Sequence, residues 1–206
     1  MPLPAWISPA SAMTMQRGLM AALWLAWLIY WMVAARGAKD TRRRESRWSR
    51  ATHVIPLALG GVLLGWPRLS ATWLGMRFVP AGSAAAWAGI AVLAAGLAFT
   101  VWARVHLAGN WSGTVTLKQD HELIRSGPYG LVRHPIYAGL LTALIGTAVT
   151  VGEWRGLVAV VIMAVAILRK VGIEERFLRE AFRDEYARYC DRVPGLIPSL
   201  LRPRPG

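Results

Sequence analysis

The sequence predicts an all-α integral membrane protein with about five transmembrane helices. The 206-residue chain is 55% hydrophobic and only 17% charged, whereas soluble domains are about a quarter charged. Its apolar residues form long uncharged segments, and most of its basic residues lie between or after those segments. The high apolar fraction excludes a disordered chain. The single Cys excludes an internal disulfide framework and any multi-cysteine zinc site.

Five apolar segments account for the predicted spans. A spanning helix needs about 20 mostly apolar residues, within a range of about 17–25. The uncharged or nearly uncharged segments cover residues 19–35, 54–66, 81–103, 136–152 and 156–168. The second is short, but a start near residue 51 would let it cross with tilt or local thinning of the bilayer.

The distribution of Lys and Arg predicts the orientation of the chain. Seven basic residues lie in the loop 36–50, four in 104–135 and nine from residue 169 onward. With five spans these three regions share one side, and only four basic residues lie on the other. Because basic loops stay in the cytoplasm, the twenty-residue side is predicted to be cytoplasmic and the N-terminus to lie outside.

The basic block 41–44 lies in the loop between the first two spans. A basic run of this kind also occurs in nucleic-acid-binding proteins. Its place between two spans instead favours contact with anionic lipid headgroups, worth about 1 kcal/mol per basic residue. We therefore expect a bilayer with anionic headgroups as a partner and no nucleic acid. The sequence does not indicate an oligomeric state.

Two polar regions on the predicted cytoplasmic side are candidates for chemistry. The first covers residues 106–137 and ends in His134 and Pro135, directly before the fourth span. Pro is favoured at the first position of a helix. The free N–H groups of such a helix start can bind a carboxylate or phosphate.

The second polar region follows the fifth span. An apolar stripe that includes Leu178 and Phe182 predicts an amphipathic helix, which would lie on the membrane or pack against the first region. Glu174 lies close to the apolar core, where a carboxylate is costly unless it is paired. Arg169 and Lys170 lie about one turn earlier and are candidate partners. The chain therefore divides into an N-terminal membrane region, 1–103, and a core, 104–206.

The residues of both polar regions resemble one known family, the isoprenylcysteine carboxyl methyltransferases, and their small prokaryotic members in particular. The matching residues run in order from His121-Glu122-Leu123-Ile124 through Gly127-Pro128-Tyr129 and Arg133-His134-Pro135-Ile136-Tyr137 to Glu174-Glu175 and Ile197-Pro198. The match covers roughly residues 105–198. The first three spans are similar in hydropathy only.

The resemblance implies a membrane O-methyltransferase that uses S-adenosylmethionine and methylates the carboxylate of a lipophilic acceptor such as a prenylcysteine. It also implies a multi-pass protein, most simply of a prokaryotic inner membrane. Its cytoplasmic cofactor pocket would be formed by the loop before helix 4 and the C-terminal amphipathic helix. The positions that match the family's cofactor-binding residues are Thr116, His121, Glu122, Leu123, Ile124, Tyr129, His134, Pro135, Ile136, Tyr137 and Glu174. Lys170, with Arg169 beside it, matches the basic position that orients the acceptor carboxylate.

Two departures concern the acceptor more than the cofactor. Lys170 stands where the family usually has Arg, and Lys cannot make the two parallel hydrogen bonds to a carboxylate that Arg makes. Thr116 is shorter than the Gln or Glu often found at its position.

Three alternatives remain open at this point. A related methyltransferase could act on phospholipid amines, with Glu175 or His121 as the general base that an amine requires. A sterol-reductase-like enzyme using NADPH shares an Arg-His-x-x-Tyr motif, but Ile136 and Ala138 depart from its usual surroundings. A non-catalytic membrane scaffold would have no need of the cofactor motif.

Overall fold

The computed structural model describes residues 9–36, 47–66, 69, 71–81, 83–107 and 123–198. The described residues contain five α-helices and no β-strand. The helices are α1 (Pro9–Ala35), α2 (Arg47–Gly65), α3 (Ala84–Leu107), α4 (Pro135–Val151) and α5 (Trp154–Arg192). The predicted all-helical membrane fold is confirmed.

Three of the five helices, α1, α3 and α5, are long and apolar enough to cross a membrane. The apolar part of α2, Ala51–Gly65, is shorter, as the sequence predicted, and α4 has 17 residues. Seventeen residues of α-helix measure about 25 Å at 1.5 Å per residue. Helix α4 is therefore at the lower limit of length for a span, and the apolar part of α2 is below it.

The helices alternate in direction between two ends of the bundle. We call these the Pro135 end, where α4 begins, and the Gly152 end, which directly follows α4. Arg104, near the end of α3, donates from Nη2 to the Ala34 carbonyl at the end of α1, at 2.6 Å. At the other end, the segment before α3 pairs with the Gly152 carbonyl through the N–H of Phe78, at 2.9 Å.

The contact between α3 and α4 depends on glycines spaced seven residues apart. Gly89 and Gly96 of α3 face Gly146 and Gly139 of α4, and these glycines lie against the backbone of the opposite helix. Small residues of this kind let helices in a membrane approach closely, and packing then holds them together. The pair α3–α4 is thus fixed in register from one end of the bundle to the other.

Substituting Gly96 by Ala is expected to destabilise the protein. The added Cβ would lie 2.5 Å from the Ala143 nitrogen and 2.6 Å from the Gly139 carbonyl oxygen, both backbone atoms. Overpacking of this kind costs about 1–3 kcal/mol. The matched control is Gly61→Ala in α2, where the Cβ meets nothing within 4 Å. There the lost backbone entropy of Gly favours Ala by about 0.5–1 kcal/mol. In detergent, the thermal unfolding midpoint should fall for Gly96→Ala and rise for Gly61→Ala. Equal shifts of the midpoint in the two variants would contradict the close α3–α4 contact.

Helix α1 is attached to α3 and α4 through its tryptophans. The indole N–H of Trp24 donates to the Thr147 hydroxyl at 3.0 Å, and that of Trp27 donates to the Thr100 hydroxyl at 2.6 Å. Each indole N–H therefore has a polar partner inside an apolar contact, which buried tryptophans require. The same tryptophans pack against the core cluster that includes Leu93.

The Gly152 end holds a buried ionic cluster around Glu153. Its carboxylate lies 2.6 Å from Arg155 Nε, 3.6 Å from Arg77 Nη1 and 3.7 Å from Arg17 Nη2. Arg155 is itself buried and donates from Nη1 to three carbonyls at the end of α2, each at 3.1 Å. Three of the four basic residues predicted on the side away from the basic loops therefore converge here.

Candidate functional site

The candidate site lies at the Pro135 end, where the start of α4 meets the middle of α5. The Tyr137 hydroxyl, in the first turn of α4, donates to Glu174 Oε1. His134 lies between two adjacent carboxylates of α5: its Nε2 is 3.3 Å from Glu175 Oε1 and its Nδ1 is 3.8 Å from Glu174 Oε2. The structure thus brings together two segments that are about 40 residues apart in sequence.

Local sequence explains the position of His134. Pro135 is the first residue of α4 and His134 is its N-cap residue, with extended φ of −123°. The Arg133 and His134 N–H groups donate to the carbonyls of Pro194 and Gly195, at 2.8 and 3.0 Å. The approach to α4 is therefore held on one side by the chain that follows α5, and the side chain of His134 is buried.

Arg133 joins the carboxylate of Glu175 to the end of α5. Its Nη2 lies 2.6 Å from Glu175 Oε1, and its Nη1 donates to the Val193 carbonyl at 2.6 Å and to the Cys190 carbonyl at 3.4 Å. Basic side chains commonly satisfy the last carbonyls of a helix in this way. Arg104 and Arg155 do the same for α1 and α2, so each of the three arginines secures the end of one helix.

Glu175 is a firmly ionised carboxylate. It lies beyond the apolar part of α5, which ends at Leu168. The hydrogen bond from His134, together with the hydrogen bond and charge of Arg133, lowers the pKa of Glu175 to about 2 although partial burial opposes this shift. A carboxylate with so low a pKa holds a proton poorly and is a weak general base.

The lowered pKa of Glu175 predicts a pH-dependent contribution to stability. The folded state holds this carboxylate ionised while the unfolded chain has a pKa near 4.5. Below that value the unfolded state binds more protons, so the stabilisation is present above about pH 4.5 and is lost as pH falls toward 2. The difference in thermal midpoint between the wild-type protein and Glu175→Gln should therefore shrink over this window. A difference that stays constant from pH 5 to pH 2.5 would contradict this assignment.

The turn before α4 is locked by two tyrosines. Tyr129 lies in the short 3₁₀ helix Gly127–Gly130 and is buried. Its backbone carbonyl accepts a hydrogen bond from the Tyr189 hydroxyl at 2.6 Å. Burial, and secondarily the charge of Glu174, raises the pKa of the Tyr129 phenol well above its usual value. The phenol of Tyr129 therefore stays protonated and uncharged. Its ring is apolar surface, and its hydroxyl can still donate a hydrogen bond.

The amphipathic segment that the sequence predicted after the fifth span continues the helix of that span, and the two together form α5. Helix α5 runs without interruption from the span through Glu174 and is broken only at Arg183, with φ 41° and ψ −115°. The break lies after the site rather than at the edge of the membrane, and beyond it Tyr186 and Tyr189 are buried. Packing of these rings outweighs the cost of a left-handed φ in a residue with a side chain.

The other predicted site residues are placed as follows. Leu123 and Ile124 are half-buried in the segment leading into the turn, and Ile136 follows Pro135 in α4. Lys170 Nζ lies 5.6 Å from the centre of the Tyr137 ring, whereas Arg169 is exposed. Thr116, His121 and Glu122 lie outside the described residues.

Sequence reasoning did not identify the clamp of Arg133 on Glu175 or the bond between Tyr189 and Tyr129. Both pairs are long-range, 42 and 60 residues apart. In the sequence, Arg133 and Glu175 appear as members of the matching motifs, and Glu175 also as a candidate base, but nothing there pairs the two. The one indication in the sequence is that Arg133 and Glu175 carry opposite charges, and charge alone does not specify a partner.

One family profile and several curated proteins are similar to this chain. The sequence profile of the phospholipid methyltransferase family matches residues 84–185, about half of the chain. A probable protein-S-isoprenylcysteine O-methyltransferase of Oryza sativa is 34% identical over 112 residues, which cover 54% of this chain and 53% of the relative. The protein-S-isoprenylcysteine O-methyltransferase of Schizosaccharomyces pombe is 31% identical over 101 residues, covering 48% and 43%.

A bacterial relative matches more of the chain. The cobalt-zinc-cadmium resistance protein CzcN of Cupriavidus metallidurans is 29% identical over 162 residues, covering 78% of this chain and 66% of that protein. The chain thus spans between about two fifths and two thirds of the length of these curated relatives. The region that the family profile matches contains α3, α4 and most of α5, and with them His134, Tyr137, Glu174 and Glu175.

Proposed function

We propose that this chain, which matches the phospholipid methyltransferase profile and resembles protein-S-isoprenylcysteine O-methyltransferases, transfers a methyl group from S-adenosylmethionine to the carboxylate of a lipophilic acceptor. A prenylcysteine, the group that the names of its relatives contain, is the first candidate. The observation that carries the proposal is the convergence of Tyr137, His134 and Glu174 at the start of α4, with Lys170 beside them.

The side chains present suit such a cofactor. Glu174 Oε1 accepts from Tyr137, while Oε2, at 3.8 Å from the His134 ring, is beyond hydrogen-bond distance and able to accept from a ligand hydroxyl or ammonium group. The first N–H groups of α4 have no partner within their own helix. Leu123 and Ile124, half-buried before the turn that holds the buried Tyr129, are apolar side chains suited to a purine ring.

The reaction needs alignment more than acid–base chemistry. S-adenosylmethionine would supply an electrophilic methyl group on its sulfonium, and the site would have to hold an acceptor carboxylate oxygen in line with the S–CH₃ bond, with the thioether as the leaving group. A carboxylate has a pKa near 4 and is ionised at pH 7 without a base. Holding two reactants in attack geometry supplies about 7–11 kcal/mol. In our proposal Lys170 orients the acceptor carboxylate by its charge, and Arg169 stays at the solvent edge.

The state of Glu175 removes one of the two candidate bases of an amine methyltransferase, while the other, His121, lies outside the described residues. An ammonium acceptor must lose a proton before it can attack, so an amine methyltransferase needs a base. The pKa of Glu175 is lowered to about 2, and its Oε1 is already bound by Arg133 and His134. The similarity to named O-methyltransferases also disfavours the NADPH reductase and the scaffold.

The Pro135 end is proposed to face the cytoplasm, with the N-terminus of the chain outside. The basic loops that predict this orientation all adjoin the Pro135 end, because α1, α3 and α5 end there. A site at that end would meet a polar cofactor from the cytoplasm and a lipophilic acceptor from the bilayer.

Calorimetric titration of the detergent-purified protein with S-adenosylhomocysteine, and with NADPH as the control, tests the cofactor. Saturable binding of S-adenosylhomocysteine that is lost in His134→Ala is the expected result. Binding of NADPH alone, or of neither by a folded protein, would overturn the proposal. Transfer of labelled methyl to an amine-blocked farnesylcysteine, compared with phosphatidylethanolamine, then separates the two acceptor classes.

A further inference from the structure

Glu175 has no assigned contact with cofactor or acceptor in the proposed function, yet it is the most heavily bonded carboxylate at the Pro135 end among the described residues. Its Oε1 accepts from Arg133 at 2.6 and 3.2 Å and lies 3.3 Å from His134 Nε2. Its Oε2 lies 3.5 Å from Arg179, an exposed side chain one turn further along α5. Oε1 therefore bonds to the largely buried Arg133 and His134, whereas Oε2 lies near the exposed Arg179.

The arginine on Oε1 also holds the chain that follows α5. Arg133 Nη1 donates to the Val193 carbonyl, and the Arg133 and His134 N–H groups donate to Pro194 and Gly195. We call residues 193–195 the C-terminal strap. Glu175, Arg133 and the strap form one connected set of bonds, and His134 is attached to it through both its backbone and its ring.

We infer that Glu175 is a positioning residue that fixes the ring of His134, holding Nε2 toward itself and leaving Nδ1 to face Glu174 and the ligand. The inference rests on the proposed function, since it assigns Nδ1 to the cofactor. Glu175 acts through His134 and makes no contact of its own with the reacting groups.

The bond to Glu175 also determines which ring nitrogen carries the proton. A carboxylate can only accept, so a neutral His134 bonded to it must carry its proton on Nε2. The other nitrogen is then an acceptor, as in other histidines whose tautomer is set by the partner of one ring nitrogen. Nδ1 and Glu174 Oε2, 3.8 Å apart, thereby form a pair of acceptors. Such a pair matches a ligand group with two donors, either a ribose diol or an ammonium group.

Nitrogen-15 NMR of histidine-labelled protein tests this assignment without any ligand. The chain has four His, and the signals of His134 are identified by their loss in His134→Asn. At a pH where the ring is neutral, the wild-type protein should carry the proton on Nε2. In Glu175→Gln the Nε2-protonated tautomer should lose its dominance, and the dissociation constant for S-adenosylhomocysteine should rise about tenfold.

Arg179→Gln is the matched control, because it removes the exposed partner of the same carboxylate, and it should leave both quantities unchanged. If Glu175→Gln does not fold, Glu175→Asp, which keeps the charge but shortens its reach, should shift the tautomer in the same direction by less. A wild-type proton on Nδ1, or a tautomer ratio unchanged in the variants, would overturn the inference. A Glu175-dependent tautomer in a protein that binds no S-adenosylhomocysteine would overturn the assignment of Nδ1 to the cofactor and the proposed function, but not the role of Glu175 toward His134.

Discussion

Replacing Glu174 by Gln is expected to weaken S-adenosylhomocysteine binding by about 10- to 100-fold, since a hydrogen bond to a charged group is worth about 1.5–3 kcal/mol. The substitution keeps the shape of the side chain and leaves an oxygen to accept from Tyr137. It removes the charge and can place an amide NH₂ where Oε2 would accept from a ligand. Calorimetric titration measures the change, and the thermal midpoint should hardly move.

Glu185→Gln provides the control on the same helix. Glu185 is about two-fifths exposed and pairs with the exposed Arg125 at 3.0 Å, and surface pairs of this kind contribute about 0–1 kcal/mol. The Glu185→Gln variant should bind S-adenosylhomocysteine with the same affinity as the wild-type protein. Equal affinities in Glu174→Gln and Glu185→Gln would remove Glu174 from the cofactor site.

The fold could be predicted because hydropathy and charge are local properties of the sequence. The apolar segment 81–103 gave α3 to within four residues at each end, and Pro135 marked the start of α4 within one residue. The odd number of helices followed from the basic loops. The predicted order of helices is consequently observed, even though, within the described part of the chain, three of the five helices reach full spanning length.

The glycine contact between α3 and α4 could not be predicted, because a glycine in an apolar segment has no partner until two helices are placed side by side. The spacing of seven between Gly89 and Gly96 recurs between Gly139 and Gly146. That repeat becomes informative only when the helices are known to be antiparallel neighbours. The sequence alone offered several other pairs of helices with small residues.

The candidate site was predicted unevenly for the same reason. Residues that lie close together in sequence, such as His134 and Tyr137, belong to one recognisable motif, and Glu174 was linked to them by resemblance. Its bond to Tyr137 and the clamp of Arg133 on Glu175 depend on how α5 packs on α4. The order of the charged residues in the second half of α5 does not indicate which of their side chains points inward.

Replacing Arg155 by Met is expected to cause the largest loss of stability of any single substitution in the Glu153 cluster. Arg155 satisfies the terminal carbonyls of α2 and pairs with Glu153 at 2.6 Å, with both side chains buried. Removing one member of a buried pair costs about 3–5 kcal/mol. For a chain of this size that corresponds to a fall in thermal midpoint of roughly 6–20 °C.

The double variant Arg155→Met with Glu153→Gln separates the two parts of this loss. Arg77 and Arg17 lie more than 3.5 Å from Glu153 and are partly exposed, so they compensate its charge poorly. Neutralising Glu153 should therefore restore part of the midpoint, because a buried carboxylate that has lost its nearest cation is then no longer charged. The remainder should persist, because the α2 carbonyls still lack their donor. A double variant less stable than Arg155→Met would show that the buried charge of Glu153 is not what destabilises the single variant.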